Sequence, residues 1–259
     1  MDDDLEYIGL MAQGWDPLRG DTSEWADRAF FLALIRSVGE PVLDVGCGTG
    51  RLLVDYLAQG IDIDGVEISP DMVAILCDKA AAAGLDIDGR VHLGAMETMN
   101  LPRRYQLVIV PSGSYHLLVD PTQAATAMRR FFEHVRPGGT LAVTWLDIAQ
   151  DHPDGADERF VKEAQLADGS TIRRTYRARF DSATGLEHTD DLYERLRDGV
   201  IVEHQRRLRS PATRHYPRHA IAGIHEDAGF ENVRLMSMTT GGPAEPSERA
   251  IMSVARRPR

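Results

Sequence analysis

The segment Val42-Leu43-Asp44-Val45-Gly46-Cys47-Gly48-Thr49-Gly50 restricts the fold more than any other stretch of this chain. A short apolar run interrupted by one acid passes into glycines at alternate positions, and the last of them opens a helix. Strand, tight turn and helix in that order make a βα unit, the building block of a parallel sheet covered by helices. Glycines let the turn close and let a ligand approach the backbone, and the helix start offers unpaired N–H groups. A nucleotide-like ligand suits such an edge.

The alternation continues from about Pro41 to Ile148. Strands are predicted at 42–45, 63–67, 90–93, 106–110 and 140–145, with helices between them. Ser69-Pro70-Asp71 and Asp120-Pro121 each supply a capping side chain and a proline in the first turn. Helices therefore start there, one running toward Gly84 and the other up to Pro137-Gly138-Gly139. A helix over 22–38 is expected to pack beside the sheet. Residues 170–209 change to period-2 alternation with turns at Ala183-Thr184-Gly185 and Asp198-Gly199, which predicts a three-stranded antiparallel insert. A helix over 217–228 and strands at 233–238 and 250–255 return to the core. The expected fold is α/β: a Rossmann-like, mostly parallel seven-stranded sheet with helices on both faces, carrying that insert.

Charge and composition exclude several classes. Lys and Arg number 29 against 40 Asp and Glu, a net charge of −11, so a polyanion is repelled and nucleic acid is not an expected partner. The longest apolar runs, such as 30–35, are far short of a membrane span, and the Met-Asp-Asp-Asp start lacks a positive leader. No membrane partner and a cytoplasmic location are expected. Cys47 and Cys77, without C-x-x-C spacing, make no disulfide framework, and Cys47 reads as a small buried filler. His152, His188, His204 and His225 share no ligand spacing, so no metal is expected.

A nicotinamide site needs glycine at the sixth position of G-x-G-x-x-G, where this chain has Arg51. The G-x-G-x-G pattern preceded by Asp44 instead resembles the first motif of class I S-adenosylmethionine-dependent methyltransferases, in their small-molecule, methyltransferase-25-like branch. The resemblance places S-adenosyl-L-methionine on Asp44, Gly46, Cys47, Gly48 and Gly50. It implies that Glu67, ending Gly65-Val66-Glu67, accepts hydrogen bonds from both ribose hydroxyls, with Ile68 beside it. After the third strand, Gly94-Ala95-Met96 departs from the family's Gly-Asp-Ala or Gly-Asp-Met. Adenine would then rest on Ala95 and the Met96 backbone, with Glu97 as a substitute acid. Pro111-Ser112-Gly113-Ser114-Tyr115-His116 looks like the segment that lines the cofactor and acceptor pockets, and Arg136-Pro137-Gly138-Gly139 is typical of the family. Trp15-Asp16-Pro17-Leu18-Arg19 resembles the family's N-terminal cover, with Trp15 capping the site and Arg19 pairing with the methionyl carboxylate.

The implied reaction is in-line displacement of the methyl group onto nitrogen or oxygen of a small-molecule acceptor, a reaction in which alignment matters more than side-chain chemistry. Where the acceptor must lose a proton, His116, Tyr115 and His215 are the candidate bases. Expected boundaries are 1–40 for an N-terminal helical cover, 41–150 for the cofactor-binding core, 151–216 for the insert and 217–259 for the elements completing the core. Relatives place such an insert over the acceptor or at a dimer contact, so a homodimer stays open. Arg173, Arg177 and Arg179 share one face of their strand, with Arg195 and Arg197, then Arg207 and Arg209, on the next two. They would form cross-strand ion pairs with Asp191 and Glu203 or select an anionic acceptor. A nicotinamide-dependent oxidoreductase and a non-catalytic cofactor-binding protein are the alternatives.

Overall fold

The computed structural model describes residues 7–151 and 158–259; the Met-Asp-Asp-Asp start and His152 lie outside the described residues. Three helices, α1 (Leu10–Gln13), α2 (Trp15–Arg19) and α3 (Ala26–Val38), lead into β1 (Val42–Val45). Helix α4 (Leu53–Ala58), β2 (Ile63–Glu67), α5 (Pro70–Ala82), β3 (Val91–Leu93), β4 (Tyr105–Val110), α6 (Pro121–His134) and β5 (Val135–Leu146) follow. Strand β1 pairs in parallel with β2 and β4, β2 with β3, and β4 with β5. After the insert, α8 (Ile221–Glu226) leads to β10 (Glu231–Met236) and β11 (Ala250–Arg256), and β11 runs antiparallel to both β5 and β10. The seven strands lie in the order β10-β11-β5-β4-β1-β2-β3. The chain winds outward from β1 to β3 and then crosses to β4 on the other side, so a crevice opens between the carboxyl ends of β1 and β4, where such sheets bind ligands.

The capping residues act as their sequence implies. Ser69 Oγ accepts from Met72 N–H at the start of α5, and Asp120 accepts from the Thr122 and Gln123 N–H groups at the start of α6. All residues of β1 and β2 are buried. Leu43, Val108 and Leu141 face Met128 and Phe131 of α6 on one side of the sheet, and Val42, Leu107 and Ile109 face Phe31, Leu53 and Leu76 on the other. The Arg136–Gly139 stretch, expected as a turn ahead of the fifth strand, lies inside β5. There the β4–β5 register shifts and Gly138 takes φ 78°.

The insert has four strands rather than the expected three: β6 (Glu158–Gln165), β7 (Thr171–Asp181), β8 (Leu186–Arg197) and β9 (Val200–Arg214), antiparallel in chain order and preceded by α7 (Ile148–Asp151). Its arginines divide between the two faces. Arg173 pairs in register with Glu194, whereas Arg195 sits opposite Ile172 and Arg207 opposite Asp191, so the strands' arginines do not form one surface. Asp191 is buried and binds Arg174 at 2.6 Å, and Arg195 lies 3.5 Å from Glu203. One face of the insert packs on the N-terminal helices through Leu10, Ile172 and Tyr193. No helix among the described residues is long and apolar enough to cross a membrane.

Candidate active site

The crevice deepens into a cavity of about 590 Å³ that runs from the glycine loop to the inner wall of the insert. Gly46 turns the chain at φ 72°, and a Cβ there would stand 2.9 Å from Ser114 Oγ. Only a glycine lets the loops after β1 and β4 come this close. Gly48 also has a positive φ, 56°, and with Cys47 lines the cavity. Burial pushes the Cys47 thiol up, so it stays protonated and acts as wall rather than nucleophile. Gly50 does not line the cavity. Its φ is 79° and an added Cβ would lie 2.8 Å from both Leu76 Cγ and Val54 Cγ2, so it serves the packing of α4 on α5.

Two carboxylates stand at the strand ends. Glu67 is 6% exposed and receives the Gly48 N–H at 2.8 Å and the Ser69 N–H at 2.9 Å, bonds that oppose the upward pull of burial on its pKa. Asp44 is 1% exposed, and its Oδ1 is buried with no hydrogen-bond partner. Burial pushes its pKa up to about 7; Arg51 pulls against that shift, while Glu67 and Asp27 add to it. Arg51, which lines the cavity beside them, makes two hydrogen bonds to Asp27 and one of 3.3 Å to Ser112 Oγ. That commitment explains an arginine where a nicotinamide site would need glycine.

The other expected positions are reached from three directions. Ile68 after β2, Ala95, Met96 and Glu97 after β3, and Pro111 after β4 all line the cavity. From the N-terminal side Trp15 and Arg19 close over it together with Tyr7, which sequence reasoning missed. The Tyr7 and Trp15 rings meet edge to face at 4.7 Å, and the Arg19 guanidinium lies 3.7 Å above the Trp15 ring. Burial lowers the Arg19 pKa to about 10, so it remains a cation. Helix α2 is latched to the glycine loop, because Asp16 accepts the Thr49 hydroxyl at 2.7 Å and Lys79 Nζ at 3.0 Å.

The three candidate bases differ in their surroundings. His116 lines the cavity but is 1% exposed; its Nδ1 donates to Arg214 O at 2.7 Å and its Nε2 accepts the Leu146 N–H at 3.0 Å. Both ring nitrogens are consumed, and burial pulls the pKa to about 4. Tyr115 lies outside the lining, with its hydroxyl donating to Ala124 O at 2.8 Å and its ring against Trp145 and Tyr216. His215 is also outside, 4.0 Å from Asp147. At the far end the insert contributes Glu187, Arg209 and Thr213. Only Arg209 was singled out from sequence, as one of a set; no local pattern marks which residues of an alternating strand face a cavity.

A family model described as a methyltransferase domain matches residues 42–139. The chain is 29% identical over 188 residues to the dTDP-3-amino-3,4,6-trideoxy-alpha-D-glucopyranose N,N-dimethyltransferase of Streptomyces venezuelae, covering 71% of each chain. It is 28% identical over 191 residues to the dTDP-3-amino-3,6-dideoxy-alpha-D-glucopyranose N,N-dimethyltransferase of Streptomyces fradiae, covering 70% of each. Its fold matches the crystal structure of an S-adenosylmethionine-dependent methyltransferase from Clostridium acetobutylicum with a TM-score of 0.75 over 93% of this chain and 95% of that one, at 16% identity. With strand order, glycine loop and strand-end carboxylates in place, the chain carries a methyltransferase domain over residues 42–139 and resembles class I S-adenosylmethionine-dependent methyltransferases.

Proposed function

We propose that this methyltransferase acts on an amino nitrogen of a small molecule, with amino sugars the leading acceptor class. The bonding of His116 carries the reading. An alcohol is a poor nucleophile until a base removes its proton, and the imidazole and phenol nearest the acceptor end are engaged with backbone groups. An amine that has lost its proton to water needs only alignment and exclusion of solvent. The two relatives named above, both N,N-dimethyltransferases of amino sugars, support the same acceptor.

The residues present fit S-adenosylmethionine. The orphaned, buried Oδ1 of Asp44 calls for a cationic partner such as the methionyl ammonium. Arg19 has no carboxylate in ion-pair contact among the described residues and suits the methionyl carboxylate. Glu67 takes the ribose hydroxyls, and the turn at Ala95 and Met96 holds adenine through backbone and apolar contact. When bound, the cofactor supplies a methyl group made electrophilic by its sulfonium. Tyr7, Trp15 and Arg19 shut the cavity on one side and the insert on the other, so that water is kept from the transfer.

The experiment is a screen of amines and alcohols with labelled S-adenosylmethionine, read by mass spectrometry of the products. Methylated amines are expected; exclusive methylation of hydroxyls would overturn the amine assignment.

A further inference from the structure

The acceptor end of the cavity is mostly apolar, walled by Leu117, Leu118, Val119, Leu146, Ile148 and Ala212. Among the described residues the insert brings one carboxylate, Glu187, into this wall. It sits at the start of β8, opposite Phe180 of β7 and Thr213 of β9. Its Oε2 accepts the Thr213 hydroxyl at 2.7 Å, and Thr213 also lines the cavity, so the side chain is held in one orientation.

The local backbone is built around this position. Register pairs Glu187 with Thr213 and Thr189 with Arg209, so the single residue His188 of β8 faces residues 210–212 of β9. Two extra residues bulge from β9 within 210–212, and the β9 residues that line the cavity, Arg209, Pro211, Ala212 and Thr213, lie in or beside that bulge. Bulges beside active sites re-aim side chains in this way.

We infer that Glu187 holds the acceptor's amino nitrogen and selects amines over alcohols, an assignment that rests on the amine reading above. The acceptor ammonium loses one proton to water. Its freed lone pair then forms the nitrogen–carbon bond as the carbon–sulfur bond breaks, with the electron pair of that bond staying on sulfur. Positive charge thereby arrives on nitrogen. A fixed carboxylate beside that nitrogen, in a wall that screens it weakly, stabilises the charge as it develops and anchors the amine beforehand through a charge-assisted hydrogen bond. An alcohol that has given up its proton ends the same transfer as a neutral ether and gains nothing from the carboxylate.

The test pairs acceptors that differ only in amine against hydroxyl: free and nucleotide-linked amino sugars beside the corresponding hydroxy sugars, and simple alkyl amines beside alcohols. Formation of S-adenosylhomocysteine gives kcat and KM, and calorimetry gives the affinity for added S-adenosylhomocysteine. Glu187→Gln is expected to lower kcat/KM for amines by about ten- to a hundredfold, through both a lower kcat and a higher KM. Its S-adenosylhomocysteine affinity should stay at the wild-type value, and the preference for amine over alcohol should shrink. Thr213→Val, which leaves the carboxylate but frees its orientation, should show a smaller loss in the same direction. Wild-type amine kinetics in the Gln variant overturn the Glu187 assignment while leaving the amine reading intact. Wild-type enzyme that methylates only the alcohols overturns both. Should the Gln variant fail to bind S-adenosylhomocysteine, the Val variant decides, and wild-type amine kinetics there overturn the assignment.

Discussion

At the scale of single residues the site rests on carboxylates whose charge is set by burial. Glu67 is already hydrogen-bonded to two backbone N–H groups, so its orientation precedes the ligand. Glu67→Ala is expected to weaken S-adenosylhomocysteine binding by about 1 to 3 kcal/mol, as charge-assisted bonds to two hydroxyls are lost; titration calorimetry measures it. Asp44 adds a pH dependence. Its pKa is raised to about 7 in the free protein, so the neutral form dominates below that pH and the carboxylate above it. A cationic ligand group favours the carboxylate, so binding should tighten with rising pH. About a tenfold gain between pH 6 and pH 8 is expected, and Asp44→Asn should flatten it. The same shift acts on stability with the opposite sense: between the ordinary carboxylate value and about 7 the folded state holds more protons than the unfolded one, so this group's contribution falls as pH rises through that window.

At the scale of elements, short local devices position the long ones. Gly50 lets α4 approach α5, and Gly50→Ala combines a left-handed φ with contacts of 2.8 Å to two side chains. A loss of about 2 to 4 kcal/mol in unfolding free energy is expected, measurable by denaturant titration. The Asp16 latch works differently, since its ion pair with Lys79 is about 40% exposed and contributes little by itself. Its bond to Thr49 ties the N-terminal cover to the glycine loop. Asp16→Ala should leave global stability nearly unchanged, weaken S-adenosylhomocysteine binding about two- to tenfold, and raise amide exchange across residues 10–20. The insert shows how far strand parity carries. Alternation alone places Arg173 and Arg177 on one face, but the partner strand decides what they meet, and the pair of half-buried Arg174 with buried Asp191 lies on the other face.

At the scale of the molecule, ligand binding and folding are coupled, because the cavity is assembled from the N-terminal cover, the parallel sheet and the insert. S-adenosylhomocysteine at a hundred times its Kd should add about 2.7 kcal/mol and raise Tm by about 5 to 10 °C, whereas NAD and NADP at the same concentration should leave it unmoved. Scanning calorimetry distinguishes the two results. Much of this architecture was legible in the chain itself. The βα alternation, the caps at Ser69 and Asp120, the strand at Val42–Val45 and the glutamate ending Ile63–Glu67 depend on neighbours within one turn or one strand, so periodicity and residue type determined them. The fourth insert strand, the inclusion of P-G-G within β5 and the surroundings of the candidate bases did not depend on neighbours. Both ring nitrogens of His116 are engaged, by Arg214, 98 positions away, and by Leu146, 30 positions away, and Glu187 lies on the cavity wall beside the bulge of β9. Which nitrogen is satisfied and which face of a strand meets a cavity are decided by register and packing between distant segments, and those contacts exist only once the sheets have closed on one another.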